Sequence, residues 1–183
     1  MNEEELRERT LNIINNGFYG KGKGRMEELL DAELVDVSSS GAVVRFRISD
    51  WQRTPMGDLQ SSVIMSMLDY SAALACVPRF GITKNISVDI NFLDRIGPDI
   101  SGVDVKVTIE KQGRTVISVT CRMVRDDGVT AVISASNIME HRSQYELTHK
   151  SQYELDHENQ EQLDHEKQLE LEHRKTYQLP YNE

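Results

Sequence analysis

Cysteine is scarce in this chain: Cys76 and Cys121 are the only two among 183 residues. They lie far apart, show no Cys-x-x-Cys spacing and sit in apolar sequence, so neither a disulfide framework nor a zinc site is expected. Both read as small buried hydrophobes. Blocks of positive charge are missing as well. Lys and Arg number 21 against 30 Asp and Glu, a formal net charge of -9, and no basic-aromatic weave appears. Nucleic acid is therefore excluded as an expected partner. A polyanionic small molecule would have to be held by a few locally placed cations and backbone N–H groups. No run approaches membrane-spanning length, and the opening MNEEELRERT carries no apolar h-region. A soluble, cytoplasmic protein without a membrane span is the expectation.

The length suits one domain with an appendage. Apolar residues make up 38% of the chain, and the shortfall is concentrated after His141. Glu3 to Asn15 places Leu6, Leu11, Ile13 and Ile14 near helical spacing, with Asn15-Asn16-Gly17 as a stop. A Gly-rich linker from Gly17 to Gly24 follows, and Met26 to Leu30 adds one helical turn.

From Ala32 the apolar period becomes two. Residues 32–38 and 42–48 flank Ser39-Ser40-Gly41 and are expected to pair as a hairpin. Trp51 to Gly57 breaks the pattern, and Leu59 to Ala75 is then small and apolar on nearly every side, the mark of a helix buried within a fold. Four strand candidates come next: Ile86 to Leu93, Gly102 to Lys111, Thr115 to Arg125 and Val129 to Met139, with turn signals at Gln112-Gly113 and Asp126-Asp127-Gly128. The predicted order is hairpin, buried helix, four-stranded meander. So hydrophobic a lone helix needs a sheet wrapped around it.

The remainder is an internal repeat. His recurs at 141, 149, 157, 165 and 173, and Leu at 147, 155, 163, 171 and 179, a period of eight. Eight fits neither the helical period nor the heptad, so residues 141–183 read as a low-complexity tail, disordered or loosely helical, rather than a metal ladder. The expected division is 1–25 for the N-terminal helix and linker, 26–140 for the domain, and 141–183 for the tail.

The segment Thr54-Pro55-Met56-Gly57-Asp58-Leu59-Gln60-Ser61-Ser62, continuing to Leu68-Asp69-Tyr70-Ser71-Ala72, resembles the phenylacetyl-CoA thioesterase (PaaI)-like branch of the hotdog acyl-CoA thioesterases. That family carries Asn-x-x-Gly-x-x-His-Gly-Gly at the start of its central helix, an acidic residue further along it, and often a Ser in the next strand. Here the glycine falls on Gly57, the carboxylate on Asp69 and the serine on Ser87. Phe92-Leu93-Asp94-Arg95-Ile96-Gly97, Gln112-Gly113-Arg114 and Asp126-Asp127-Gly128-Val129 resemble the family's later punctuation, so the similarity runs from about Met26 to Met139. The family's Asn is replaced by Thr54, its His by Gln60 and its paired glycines by Ser61 and Ser62.

The resemblance implies an α+β hotdog fold, a curved antiparallel sheet of about six strands around one central helix, with an N-terminal helix added. It implies an acyl-CoA thioesterase that needs no cofactor beyond its coenzyme A thioester substrate. A homodimer or homotetramer would build each site from two chains, with Asp69 and Ser87 facing the partner's Thr54 and Ser61. Thioester hydrolysis needs a positioned carboxylate, either as nucleophile or as general base, and donors aimed at the oxygen that becomes anionic. Asp69 supplies the first; the Ser61 N–H, with Thr54, supplies the second. Ser87 either orients water beside Asp69 or is an ordinary strand serine. Gln60 either caps the helix or donates to the carbonyl. Arg95, Lys111 and Arg114 are candidate phosphate contacts or plain turn charges. The alternative function is a catalytically weak or inactive acyl-CoA-binding hotdog protein, acting as a sensor or as a scaffold whose tail holds a partner. A hydratase of the same fold is disfavoured, because its Asp and His signature is missing from the strand-to-helix region.

Overall fold

The computed structural model describes residues 1–18, 24–81, 83–113 and 116–140. The octad repeat at 141–183, together with Arg114, lies outside the described residues. Helix α1 spans Glu3–Asn16 and α2 spans Arg25–Leu30; strands β1 (Ala32–Ser38) and β2 (Gly41–Arg47) form the expected hairpin. A 3-10 turn at Asp50–Gln52 leads into the long helix α3, Ser61–Phe80. Strands β3 (Thr83–Phe92), β4 (Gly102–Gln112), β5 (Val116–Arg125) and β6 (Thr130–Glu140) complete one antiparallel sheet.

The sheet order is β1-β2-β4-β5-β6-β3. The four-stranded meander is thus a three-stranded one, β4-β5-β6, and β3 crosses the sheet to pair with β6. Sequence signals explain the difference. Tight turns join β4 to β5 and β5 to β6, whereas Leu93 to Ser101 contains Pro98 and no hairpin signal, so the chain is free to travel from one edge of the sheet to its middle.

Alternation on the strands decides which side carries the core. Val44 and Phe46, Val105 and Val107, Val119 and Cys121, and Val132 and Ile138 point at α3 and are buried, while Arg45, Lys106, Arg122 and Asn137 alternate with them onto the outer face and are exposed. Helix α3 lies across the inner face and buries Val63, Met67, Leu68, Leu74 and Ala75, each large apolar side chain stabilising by about 1.5–3 kcal/mol. It is not apolar all round as expected. Ser61, Ser62, Met65 and Asp69 are exposed, so one stripe of the helix stays uncovered by this chain.

Helix α3 runs five residues beyond the expected Ala75 and includes Pro78, because Arg79 ties its last turn to the hairpin by donating to the carbonyls of Ala75, Ser38 and Gly41. Among the described residues this helix alone has the length and hydropathy to cross a bilayer, but 61% of that stretch is buried in the fold. Helix α1 packs Leu6, Ile13 and Ile14 into the same core, so it is an integral layer of the domain rather than an appendage to it.

Candidate active site

The turn before α3 is built to hold its shape. Arg53 and Leu59 form an isolated antiparallel bridge, and between them the Thr54 N–H donates to the Asp58 carbonyl at 2.7 Å while the Gly57 N–H donates to Thr54 at 2.8 Å. Gly57 sits at φ 87, and a Cβ there would come within 3.0 Å of Pro98. Only glycine meets both demands without strain. The Arg53 guanidinium reaches across to the carbonyls of Gly57, Gly97 and Ile100 at 2.8, 3.0 and 2.7 Å, clamping this turn to the loop after β3.

Gln60 is the N-cap residue of α3, but its side chain makes no cap hydrogen bond. Its amide donates instead to the carbonyls of Trp51 and Arg53, at 3.2 and 2.9 Å. Both sequence roles for Gln60 are thereby replaced by a third, which is to fasten the turn to the helix start. The consequence for α3 is an N-terminus whose first N–H groups have no side-chain acceptor, a natural seat for developing negative charge. Ser61, the first helical residue, opens onto a groove of about 610 Å³ together with Thr54, Met56, Ile64, Phe92, Leu93 and Arg95. Thr54 and Ser61 therefore share one groove.

Asp69 is not in that groove. Eight residues separate it from Ser61, about 12 Å along the axis and roughly 80° around it. It is exposed, accepts a hydrogen bond from the Asn85 amide of β3, and lines a second recess of about 340 Å³ with Phe18, Met26, Leu30, Tyr70 and Ala73. Tyr70 beside Asp69 is buried, with Phe18 and Phe46 packed edge-on at 5.7 and 6.4 Å. Burial, with the nearby Glu27 carboxylate, pushes its hydroxyl up to about 12.

Ser87 does not join Asp69. A bulge at Ile86 puts two β3 residues, Asn85 and Ile86, where β6 spends one, so Asn85 faces α3 opposite Ile138 while Ser87 faces outward opposite Asn137. On that outer face the Asn137 amide donates to Ser87 at 3.1 Å, and the Ser118 hydroxyl donates to Asn137 at 2.9 Å. Asn85, rather than Ser87, is the β3 residue that hydrogen-bonds Asp69. Nothing in the sequence marks the bulge, and without it Asn85 and Ser87 would share a face.

The candidate phosphate cations Arg95 and Lys111 stand in different parts of the fold. Arg95 lies on the groove rim, paired with Asp58 at 2.6 Å. Lys111 is exposed near the far end of β4, and Arg114 lies outside the described residues.

No protein-family model matches the chain, and no curated protein matches it. Solved structures do. The PaaI protein of the Escherichia coli phenylacetic acid degradation operon superposes with a TM-score of 0.65 at 13% identity, over 76% of this chain and 96% of that one. A single-residue variant of the phenylacetic acid degradation protein PaaI from Thermus thermophilus gives 0.58 at 15% identity, over 64% and 99%. A hypothetical thioesterase of Streptococcus pneumoniae, solved with coenzyme A, gives 0.56 at 15% identity, over 60% and 84%. The chain has the fold of these proteins, the hotdog fold, with its six-stranded antiparallel sheet wrapped on a long helix and a helix added at the N-terminus.

Proposed function

We propose that this protein is an acyl-CoA thioesterase of the PaaI-like branch, hydrolysing a CoA thioester to free acid and CoA. The observation that carries the reading is the open N-terminus of α3, facing a groove with Thr54 and Ser61, on a fold shared with a hypothetical thioesterase solved with coenzyme A. The Ser61 N–H and the Thr54 hydroxyl polarise the thioester carbonyl, and the helix dipole favours the oxyanion. Asp69, oriented by Asn85, acts on the carbonyl carbon as nucleophile or draws the proton from an attacking water. The C–S bond then breaks, the thiolate takes a proton, and water supplies the oxygen of the released acid. Asp69, water and the helix N-terminus suffice for this chemistry without a cofactor, in a cytoplasm where CoA esters are at hand.

Reacting atoms must lie about 3–3.5 Å apart and oxyanion donors about 3 Å from the oxygen, so an Asp69 about 12 Å along the helix from Ser61 cannot serve the same carbonyl within one chain. A second copy resolves this. β3 is a ten-residue edge strand with Ile86, Val88 and Phe92 exposed, the kind of edge that pairs with another strand. Pairing β3 with its twofold mate would extend the sheet and bring Asp69 of one chain to Thr54 and Ser61 of the other. A homodimer, or two such dimers joined as a tetramer, is the active form.

One observation favours a second reading, acyl-CoA binding with little or no turnover. Gln60 stands where the family has His, and its amide is committed to the carbonyls of Trp51 and Arg53. Thiol release from a panel of acyl-CoA esters, by the wild type and by Asp69→Ala, separates the two. Hydrolysis lost in Asp69→Ala supports the thioesterase; equal rates, or saturable binding with no hydrolysis of any ester, overturns it.

A further inference from the structure

A CoA ester carries its charge at the nucleotide end, and the groove at Ser61 is poorly suited to receive it. The one cation on its rim among the described residues, Arg95, is engaged by Asp58 through two hydrogen bonds at 2.6 and 3.1 Å, and Asp94 stands beside it. The local balance is one positive charge against two negative. Phosphates placed there would meet repulsion.

The outer face of the sheet has the opposite character. Arg45 and Arg47 of β2, Lys106 of β4 and Arg125 line a groove of about 800 Å³ that also includes Asp104 and Asp126, four positive charges against two negative. Arg45 is held by Asp104 at 2.8 and 2.9 Å. Arg47 is 75% exposed and lies 3.8 Å from Glu33, a loose pairing, and Lys106 forms no ion pair among the described residues. Lys106 stands directly across from Arg122 in the β4–β5 register, and both point outward. Like charges directly opposed on adjacent strands destabilise a sheet, and an anion between them removes that cost. Such a cluster is conspicuous on a chain of net charge -9.

The two grooves meet at one side chain. Arg125 lines the outer groove, and its guanidinium donates to Asp94 at 3.0 Å and to the Arg95 carbonyl at 2.8 Å, both on the rim of the inner one. A ligand that occupies both grooves would pass Arg125.

We infer that the outer-face groove binds the phosphorylated nucleotide end of the ligand, with Arg47 and Lys106 as phosphate contacts, Arg122 beside them, and Arg45 fixed by Asp104 as the wall. The identification of the ligand as CoA rests on the proposed function. The phosphate site itself does not, since a free nucleotide offers the same chemistry. Its ligand is a nucleoside polyphosphate in either case, and the residues are ones that no sequence motif marked.

The test is calorimetric titration of the full chain with CoA, adenosine 3′,5′-bisphosphate and ATP. Wild type is compared with Arg47→Ala/Lys106→Ala, whose exposed positions leave the core intact, and with Arg7→Ala, an exposed cation of α1, as a charge control. Saturable, salt-sensitive binding that weakens roughly 10- to 100-fold in the double variant and is unchanged in Arg7→Ala is the expected result. CoA and the bisphosphate binding more tightly than ATP identifies the CoA nucleotide; ATP binding equally well identifies a free nucleotide. In hydrolysis, the preference for acyl-CoA over acyl-N-acetylcysteamine, measured as the kcat/KM ratio, should shrink by a similar factor in the double variant. If no ester is hydrolysed yet nucleotide binding depends on Arg47 and Lys106, the catalytic reading fails and this site stands. If nucleotides do not bind, or bind equally to the double variant, the site is refuted whatever the catalytic outcome.

Discussion

Replacing Ser61 by proline isolates the backbone donor assigned to the oxyanion. Ser61 is the first residue of α3, where the N–H has no partner within the helix and where proline is favoured, because its fixed φ suits the first turn and its missing N–H leaves no helical hydrogen bond unmade. The residue before a proline must be extended, and Gln60 already is, at φ -66 and ψ 137. The substitution should therefore leave thermal stability within about 1 kcal/mol of wild type or raise it slightly. Catalysis should fall sharply: loss of one donor from an oxyanion site costs about 10²–10³ in kcat, or roughly 3–4 kcal/mol of barrier. Steady-state thiol release from the best acyl-CoA ester gives kcat and KM, and thermal unfolding of the same samples gives stability. A kcat within threefold of wild type, with the fold intact, would refute the placing of the oxyanion at the α3 N-terminus.

Three further outcomes follow from the packing and the site. Leu74→Ala, on a side chain fully buried under the sheet, should cost about 2–5 kcal/mol in urea unfolding, and a loss below 1 kcal/mol would contradict the core as described. Burial raises the Cys76, Cys121 and Tyr70 acids to about 11, 12 and 12 in the folded chain. They thus ionise first in the unfolded chain, and the stability they contribute is complete below pH ~9 and declines from there towards pH ~12, by up to roughly 3 kcal/mol for Cys76 and for Tyr70 and roughly 4 kcal/mol for Cys121. Urea midpoints that stay flat from pH 8 to 11.5 would disprove it. Asn85→Ala, which frees the Asp69 carboxylate, should lower kcat roughly tenfold with KM little altered, and unchanged kinetics would remove Asn85 from the site.

The fold was legible because its signals are local. The switch from period 3.6 to period two at Ala32, the apolar run containing α3, and the turns at Ser39-Ser40-Gly41 and Asp126-Asp127-Gly128 all depend on neighbours in sequence. What was not legible depends on neighbours in space. The crossing of β3 to β6 is set by a loop without a turn signature, and the bulge at Ile86 is set by pairing with β6. A single extra residue there exchanges Ser87 for Asn85 beside Asp69. The cations Arg45, Lys106 and Arg122 stand on three separate strands, far apart in the chain, and become a cluster only through the β2–β4–β5 register. Gly57 and Asp69 are marked by the resemblance, which depends on positions within one turn and one helix, and helical rise alone puts Asp69 out of reach of its own Ser61.

That separation gives the most direct test of the account. Asp69→Ala and Ser61→Pro chains, each inactive alone, are unfolded together, refolded at equal concentration and assayed for acyl-CoA hydrolysis. If each site takes Asp69 from one chain and Ser61 from its partner, half of the dimers are mixed and one of the two sites in each is intact, so about a quarter of wild-type activity returns. Recovery at that level is the predicted result. Activity no greater than the sum of the two parents, in a sample where mixed dimers are demonstrated, would contradict a shared site built on Asp69.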